Sequence, residues 1–309
     1  MAISRRLSLS FAAMSGIWAC SSSDALAPTP ASLSGQIVFV AGNSPTALDI
    51  YTIFPDGTGL RNLTQHPASY DRPAPSPDGS TLIFFRAAGP SDSGDVFVID
   101  ADGSNLRQLT SSPDAEQFLA WRPDGGRIAF VKNRDIYTMT PDGATTTRLT
   151  FDATDFKAYP AWSPSGAFIA YSRYDGMPGL YNLHRMDADG TGDTLLVSLD
   201  GDDLSPTWSP DGAYITFEQA SPGLPHHLHR LRLLDGVVTP ITDGHVLDRW
   251  PSASPAGDTI AFTRAPFDSF PPVITQELYI RVGSSGAVVP VTTFGTAKGV
   301  SVPVWVNQP

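Results

Sequence analysis

Two kinds of tight turn alternate along this chain with a period close to 45 residues. Pro-x-Gly occurs at Pro77-Asp78-Gly79, Pro123-Asp124-Gly125, Pro164-Ser165-Gly166, Pro210-Asp211-Gly212 and Pro255-Ala256-Gly257, at spacings of 46, 41, 46 and 45 residues. An out-of-phase turn occurs at Asp56-Gly57, Asp102-Gly103, Asp142-Gly143, Asp189-Gly190, Asp235-Gly236 and, degenerate, Ser285-Gly286. Short apolar alternations lie between them, such as Thr81 to Phe85, Ile136 to Met139 and Phe168 to Ser172. Asp-Gly between alternating runs is a strong hairpin signal, and Pro presets φ for a tight corner. Each period therefore reads as four short antiparallel strands. One such sheet cannot bury both faces, but several arranged radially can, which predicts an all-β propeller.

The units number six. The chain starts inside one: Gln36 to Ala41 matches a second strand, Ile50 to Phe54 a third and Leu60 to Thr64 a fourth. The missing innermost strand is Val300 to Val306, where Val302-Pro303-Val304-Trp305 matches Tyr159-Pro160-Ala161-Trp162. The expected fold is a six-bladed β-propeller of four-stranded antiparallel blades, closed by the C-terminal strand pairing with the N-terminal strands. Closure removes the open edge that a linear array exposes. A monomeric propeller over residues 36–309 is expected.

Composition agrees. Gly 27 and Pro 28 make up about 18% of the 309 residues, against roughly 12% in average usage, and disfavour long helices. The net charge of −11 argues against nucleic acid, whose binding rests on Lys and Arg contacts to phosphate.

The pattern Ile-Tyr-Thr-Met-Thr-Pro-Asp-Gly (136–143), then Arg-Leu-Thr (148–150) and Pro-Ala-Trp-Ser-Pro (160–164), resembles the TolB-like family of WD-like propeller repeats. The resemblance covers roughly residues 36–306. Ala253 and Pro75 depart from it at the Trp position, as does a long insertion near Ala265 to Thr275. It implies the fold. It carries the role of an envelope-spanning complex poorly, because only a short tether precedes the first blade.

Residues 1–19 read as an export signal, with Arg5 and Arg6 ahead of a weakly apolar run too short to span a bilayer. Ile17-Trp18-Ala19-Cys20 resembles a lipobox, implying lipidation of Cys20 and an exported, periplasmic or cell-surface, membrane-anchored lipoprotein. The alternative is a plain signal cut after Ala27; Ser4-Arg5-Arg6-Leu7 also partly resembles a twin-arginine signal. Residues 20–35 are rich in Ser, Ala and Pro and read as a tether. Cleavage before Cys20 leaves a mature charge of −13.

The repeated Trp121, Trp162, Trp208 and Trp305 are expected between blades, and the turn aspartates to set hairpin geometry. Function is expected where non-repeating residues meet at the channel mouth: Tyr70, Asp71, Arg72, Glu116, Lys157, Tyr159, Asp203, Asp248, Arg249 and Trp250. Loops between second and third strands join that face, including Tyr174, His226, His227 and the insertion carrying Phe267, Phe270, Pro271 and Pro272. Arg with aromatics suits recognition of a protein or peptide partner. The rival reading is a carbohydrate- or small-ligand-binding propeller, with an enzyme such as a lyase or hydrolase within it. No catalytic residue, cofactor or metal ligand is assigned: the histidines lack a third ligand at short spacing, and no nucleophile elbow or phosphate loop is present.

Overall fold

The computed structural model describes residues 35–44, 47–64, 69–87, 94–152, 154–176, 180–267, 276–283, 285–294 and 299–306. The export signal, Cys20, the tether through Ser34, and Phe270, Pro271 and Pro272 lie outside these residues.

Among the described residues, twenty-four strands form six sheets. The first three are β1 (Ile37–Ser44), β2 (Ala47–Ile53) and β3 (Arg61–Asn62). Blade 1 holds β4 (Ser69–Pro75), β5 (Thr81–Ala87), β6 (Asp95–Asp100) and β7 (Arg107–Gln108); blade 2 holds β8 (Glu116–Trp121), β9 (Ile128–Lys132), β10 (Asp135–Met139) and β11 (Thr146–Arg148). Blade 3 holds β12 (Phe156–Trp162), β13 (Phe168–Tyr174), β14 (Tyr181–Asp187) and β15 (Thr194–Val197); blade 4 holds β16 (Asp202–Trp208), β17 (Tyr214–Ala220), β18 (His227–Arg232) and β19 (Val238–Pro240). Blade 5 holds β20 (Val246–Ala253), β21 (Thr259–Pro266), β22 (Glu277–Val282) and β23 (Ala287–Pro290). β24 (Gly299–Trp305) joins the first three strands in the order β24-β1-β2-β3, completing blade 6. It pairs antiparallel with β1, Ile37 opposite Trp305 and Ala41 opposite Val300. The ring is closed as the repeat phasing predicts.

The core lies between blades. Val38, Val40, Ile50 and Val306 of blade 6 pack on Tyr70, Leu82 and Phe84 of blade 1. The repeated Leu-Thr ending a fourth strand has a specific task. The Thr hydroxyl accepts the backbone N–H at the head of the third strand: Thr64 from Ile50, Thr110 from Val96, Thr150 from Ile136, Thr242 from Leu228 and Thr292 from Leu278, at 2.9 to 3.0 Å. This ties down outer strands only two to four residues long. In the Asp-Gly turns the aspartate accepts the N–H two residues on, as Asp142 does from Ala144 at 3.0 Å. The glycine that follows has positive φ, and at Gly143 a Cβ would stand 2.6 Å from the Leu109 carbonyl oxygen of the preceding blade. The turn thus packs against its neighbouring blade, and no side chain fits there.

Every innermost strand carries a bulge in the same place, with two residues left out of the ladder. In five blades the second is proline, which has no N–H to give. The first, whether Arg72, Phe118, Tyr159, Ser205, Trp250 or Val302, has φ between 49° and 61°. Such left-handed residues cost of order 1–3 kcal/mol each and cluster at functional sites.

Candidate binding site at the channel waist

The bulge sorts the expected mouth residues into two sets. Numbering each inner strand so that its left-handed residue is the fourth, the second position is Tyr70, Glu116, Lys157, Asp203, Asp248 or Val300, and all six are at most 4% exposed. The expectation placed five of these on an open face; the structure buries them instead. Tyr70 sits in the core edge-on to Phe84, ring centroids 5.5 Å apart. Asp248 takes two hydrogen bonds from Arg264, at 2.6 and 2.8 Å. Glu116 accepts from Thr110 at 2.5 Å and lies 3.7 Å from Lys132. Burial raises its carboxyl, opposed by the Thr110 bond and the Lys132 charge. Lys157 reaches Asp135 of blade 2 at 3.6 Å. Asp203 accepts only the Leu199 N–H, at 3.1 Å, and its Oδ1 is buried with no partner. Desolvation pushes the Asp203 carboxyl up to about 7, with the Asp202 charge adding to the rise. Glu116, Lys157 and Asp203 thus fasten their inner strands to the preceding blade.

The third and fourth positions behave differently. The six left-handed residues all line a cavity of about 500 Å³ that runs from the bulges toward the Pro-x-Gly turns, past Trp121, Trp162, Trp208 and Trp305. These tryptophans also bridge blades, as expected: Trp121 Nε1 donates to Ala74 O and Trp208 Nε1 to Ala161 O, both at 3.0 Å. At the waist, Arg72 lies over the rings of Phe118 and Tyr159, at 4.2 and 5.5 Å. Those rings stand 4.2 Å apart. Asp71 pairs with Arg72 at 3.4 Å.

Across the small Ser205, Tyr159 and Trp250 flank a second pocket of about 270 Å³ over blade 4. Glu218 and His226 lie in it with Arg249. Glu218 Oε1 is 3.0 Å from His226 Nδ1 and 3.7 Å from Arg249 Nε, and its Oε2 accepts the Trp250 N–H at 3.4 Å. Arg249 Nε also approaches His226 Nδ1 at 3.3 Å. That nitrogen donates to Glu218 in one tautomer and accepts from Arg249 in the other.

Of the ten expected residues, Asp71, Arg72, Tyr159, Arg249 and Trp250 meet around the channel. Phe118 and Glu218 were not singled out by the sequence. Glu218 had a signal: the same place in other second strands holds Phe85, Val131, Ser172 and Thr263. Tyr174 packs on Phe156 and Tyr181 instead, and Phe267 on His245. Among the described residues no group of three or more His, Cys, Asp or Glu is arranged to hold a metal ion.

A family model described as the TolB beta propeller domain matches residues 61–178. Over that stretch the chain is similar to the TolB domain, and its fold is a six-bladed propeller. Solved structures of similar shape include TolB from Acinetobacter baumannii, at a TM-score of 0.75 and 19% identity, covering 91% of this chain and 68% of that one. They also include a putative TolB from Agrobacterium tumefaciens, at 0.68 and 21%, covering 86% and 96%. A chain of a nidogen/laminin complex matches at 0.69 with 10% identity, covering 89% and 99%. No curated protein matches the sequence. TolB-like propellers and the nidogen/laminin chain share this shape at low identity, so the shape carries the fold and the site must carry the function.

Proposed function

We propose that this TolB-like propeller is exported, tethered to the bacterial envelope through lipidated Cys20, and binds a protein or peptide segment at the channel waist. The lipobox-like Ile17-Trp18-Ala19-Cys20 and the tether that follows support the anchoring. The observation that carries the binding is the belt of Arg72, Phe118, Tyr159 and Trp250, set on a backbone held in the left-handed region, with Arg249 over the Trp250 ring. Arg, Tyr and Trp are the side chains that anchor protein interfaces, and strain concentrates at such sites.

A photocrosslinking amino acid at position 250 tests the reading in native membranes, with position 234 as control because Leu234 is 91% exposed and sits in the outer turn between β18 and β19. The expected result is a discrete protein adduct from position 250 alone, lost when Arg72→Ala is added. An equal adduct from position 234, or one that survives Arg72→Ala, overturns it. Asp248 is unsuitable as a binding control, because its removal strands Arg264.

A further inference from the structure

We infer that the pocket over blade 4 is a subsite for one uncharged pyranose ring. Its aromatic walls are Tyr159 and Trp250, which come from the blades on either side of blade 4. The polar lining is Asp202, Glu218, His226 and Arg249. The Glu218 charge is already matched internally, and one Asp202 oxygen is held by a backbone N–H. Glu218 is held by His226 and Arg249, and Asp202 Oδ1 accepts the Tyr181 N–H at 2.9 Å.

Such a site has little drive toward an anion, which must displace the Glu218–Arg249 pair and meet the Asp202 carboxylate. It keeps fixed donors and acceptors beside aromatic surface. That combination suits a ring with one apolar C–H face, which stacks on an indole or phenol, and a rim of hydroxyl groups. About 270 Å³ holds one such ring and not a chain of them. The donors and acceptors fall on matching sides: the Arg249 guanidinium gives hydrogen bonds, and the carboxylates of Asp202 and Glu218 accept them. This inference does not rest on capture of a protein segment, and its probe is a free monosaccharide.

Saturation-transfer NMR on the folded chain with methyl β-glucopyranoside and N-acetylglucosamine tests it, with sorbitol and lysine amide as comparison probes. The expected result is transfer to the C–H protons of at least one pyranoside and none to sorbitol, which has hydroxyl groups but no ring face. Trp250→Ala should weaken binding about tenfold or more. Arg249→Gln should also weaken it; this residue is partly exposed and its replacement leaves the core intact. Leu234→Ala should have no effect. No transfer to either pyranoside, equal transfer to sorbitol, tighter binding of lysine amide, or unchanged affinity in both pocket variants overturns the inference.

Discussion

Asp203 makes this propeller less stable as pH rises. Its carboxyl is fully buried, has one hydrogen bond from Leu199 and leaves Oδ1 without a partner. Desolvation therefore lifts it from 3.8 to about 7. The unfolded chain releases this proton near pH 4, whereas the folded chain keeps it until about pH 7. Between those values the folded state binds more protons, so its stability falls with rising pH and levels off above the folded value. At about 1.4 kcal/mol per unit, the whole window amounts to about 4 kcal/mol, and the part between pH 5 and pH 9 to about 2–3 kcal/mol. Asp203→Asn keeps an acceptor for Leu199 and cannot ionise. Urea denaturation followed by tryptophan fluorescence, at pH 5 and pH 9, measures the stability gap between the two proteins. Relative to the wild type, the variant should gain about 2–3 kcal/mol between these pH values. Taking the difference cancels the other titrating groups, which are shared. A gap that changes by less than about 0.5 kcal/mol refutes the reasoning, because the carboxyl would then titrate alike in both states.

Asp248→Ala should cost about 3–5 kcal/mol by leaving the Arg264 guanidinium unpaired, with the Asp248→Ala/Arg264→Ala double variant recovering part of the loss in the same denaturation assay. Truncation after residue 298 should abolish the cooperative melt or drive oligomerisation, read by calorimetry and light scattering, because β1 then becomes an open edge. A truncated protein that stays monomeric and melts cooperatively contradicts closure by β24.

The sequence carried the fold because turns are local. Pro-x-Gly and Asp-Gly fix corners within a few residues, and six repeats of that signal leave little choice of topology. The partial unit at the N-terminus and its complement at Val302 to Trp305 made closure readable as well. The site was half readable. Tyr70, Asp71 and Arg72 are consecutive and all expected at the channel mouth, but they lie on a strand, where neighbours face opposite ways. Tyr70 turns into the core while Arg72, at the bulge, turns to the axis. Only the pairing register reveals that the second position faces Arg86, Lys132, Arg173, Gln219 and Arg264, and so serves the blade rather than a ligand. The left-handed position could be suspected from the Pro that follows it in five blades. The pocket over blade 4 could not, because it joins Tyr159, Glu218 and Trp250, which lie on three different blades.

The pairing of β24 with β1 also orders events in time. Blades 1 to 5 are each built from one continuous stretch of about 40 residues, so their ladders can form as the chain emerges from the ribosome. The remaining sheet joins Ile37 to Trp305, across nearly the whole chain, and its first strand waits until the last residues arrive. Joining contacts so far apart is slow relative to local hairpins. The entropy of bringing the ends together grows only logarithmically with chain length, however, and five preformed blades shorten the distance left to search. A ring not yet closed would present two exposed edges that are each other's natural partner, and a second copy in the same state would offer the same edges. Dilution should favour closed rings, while crowding of nascent chains should favour exchange of β24 between neighbours.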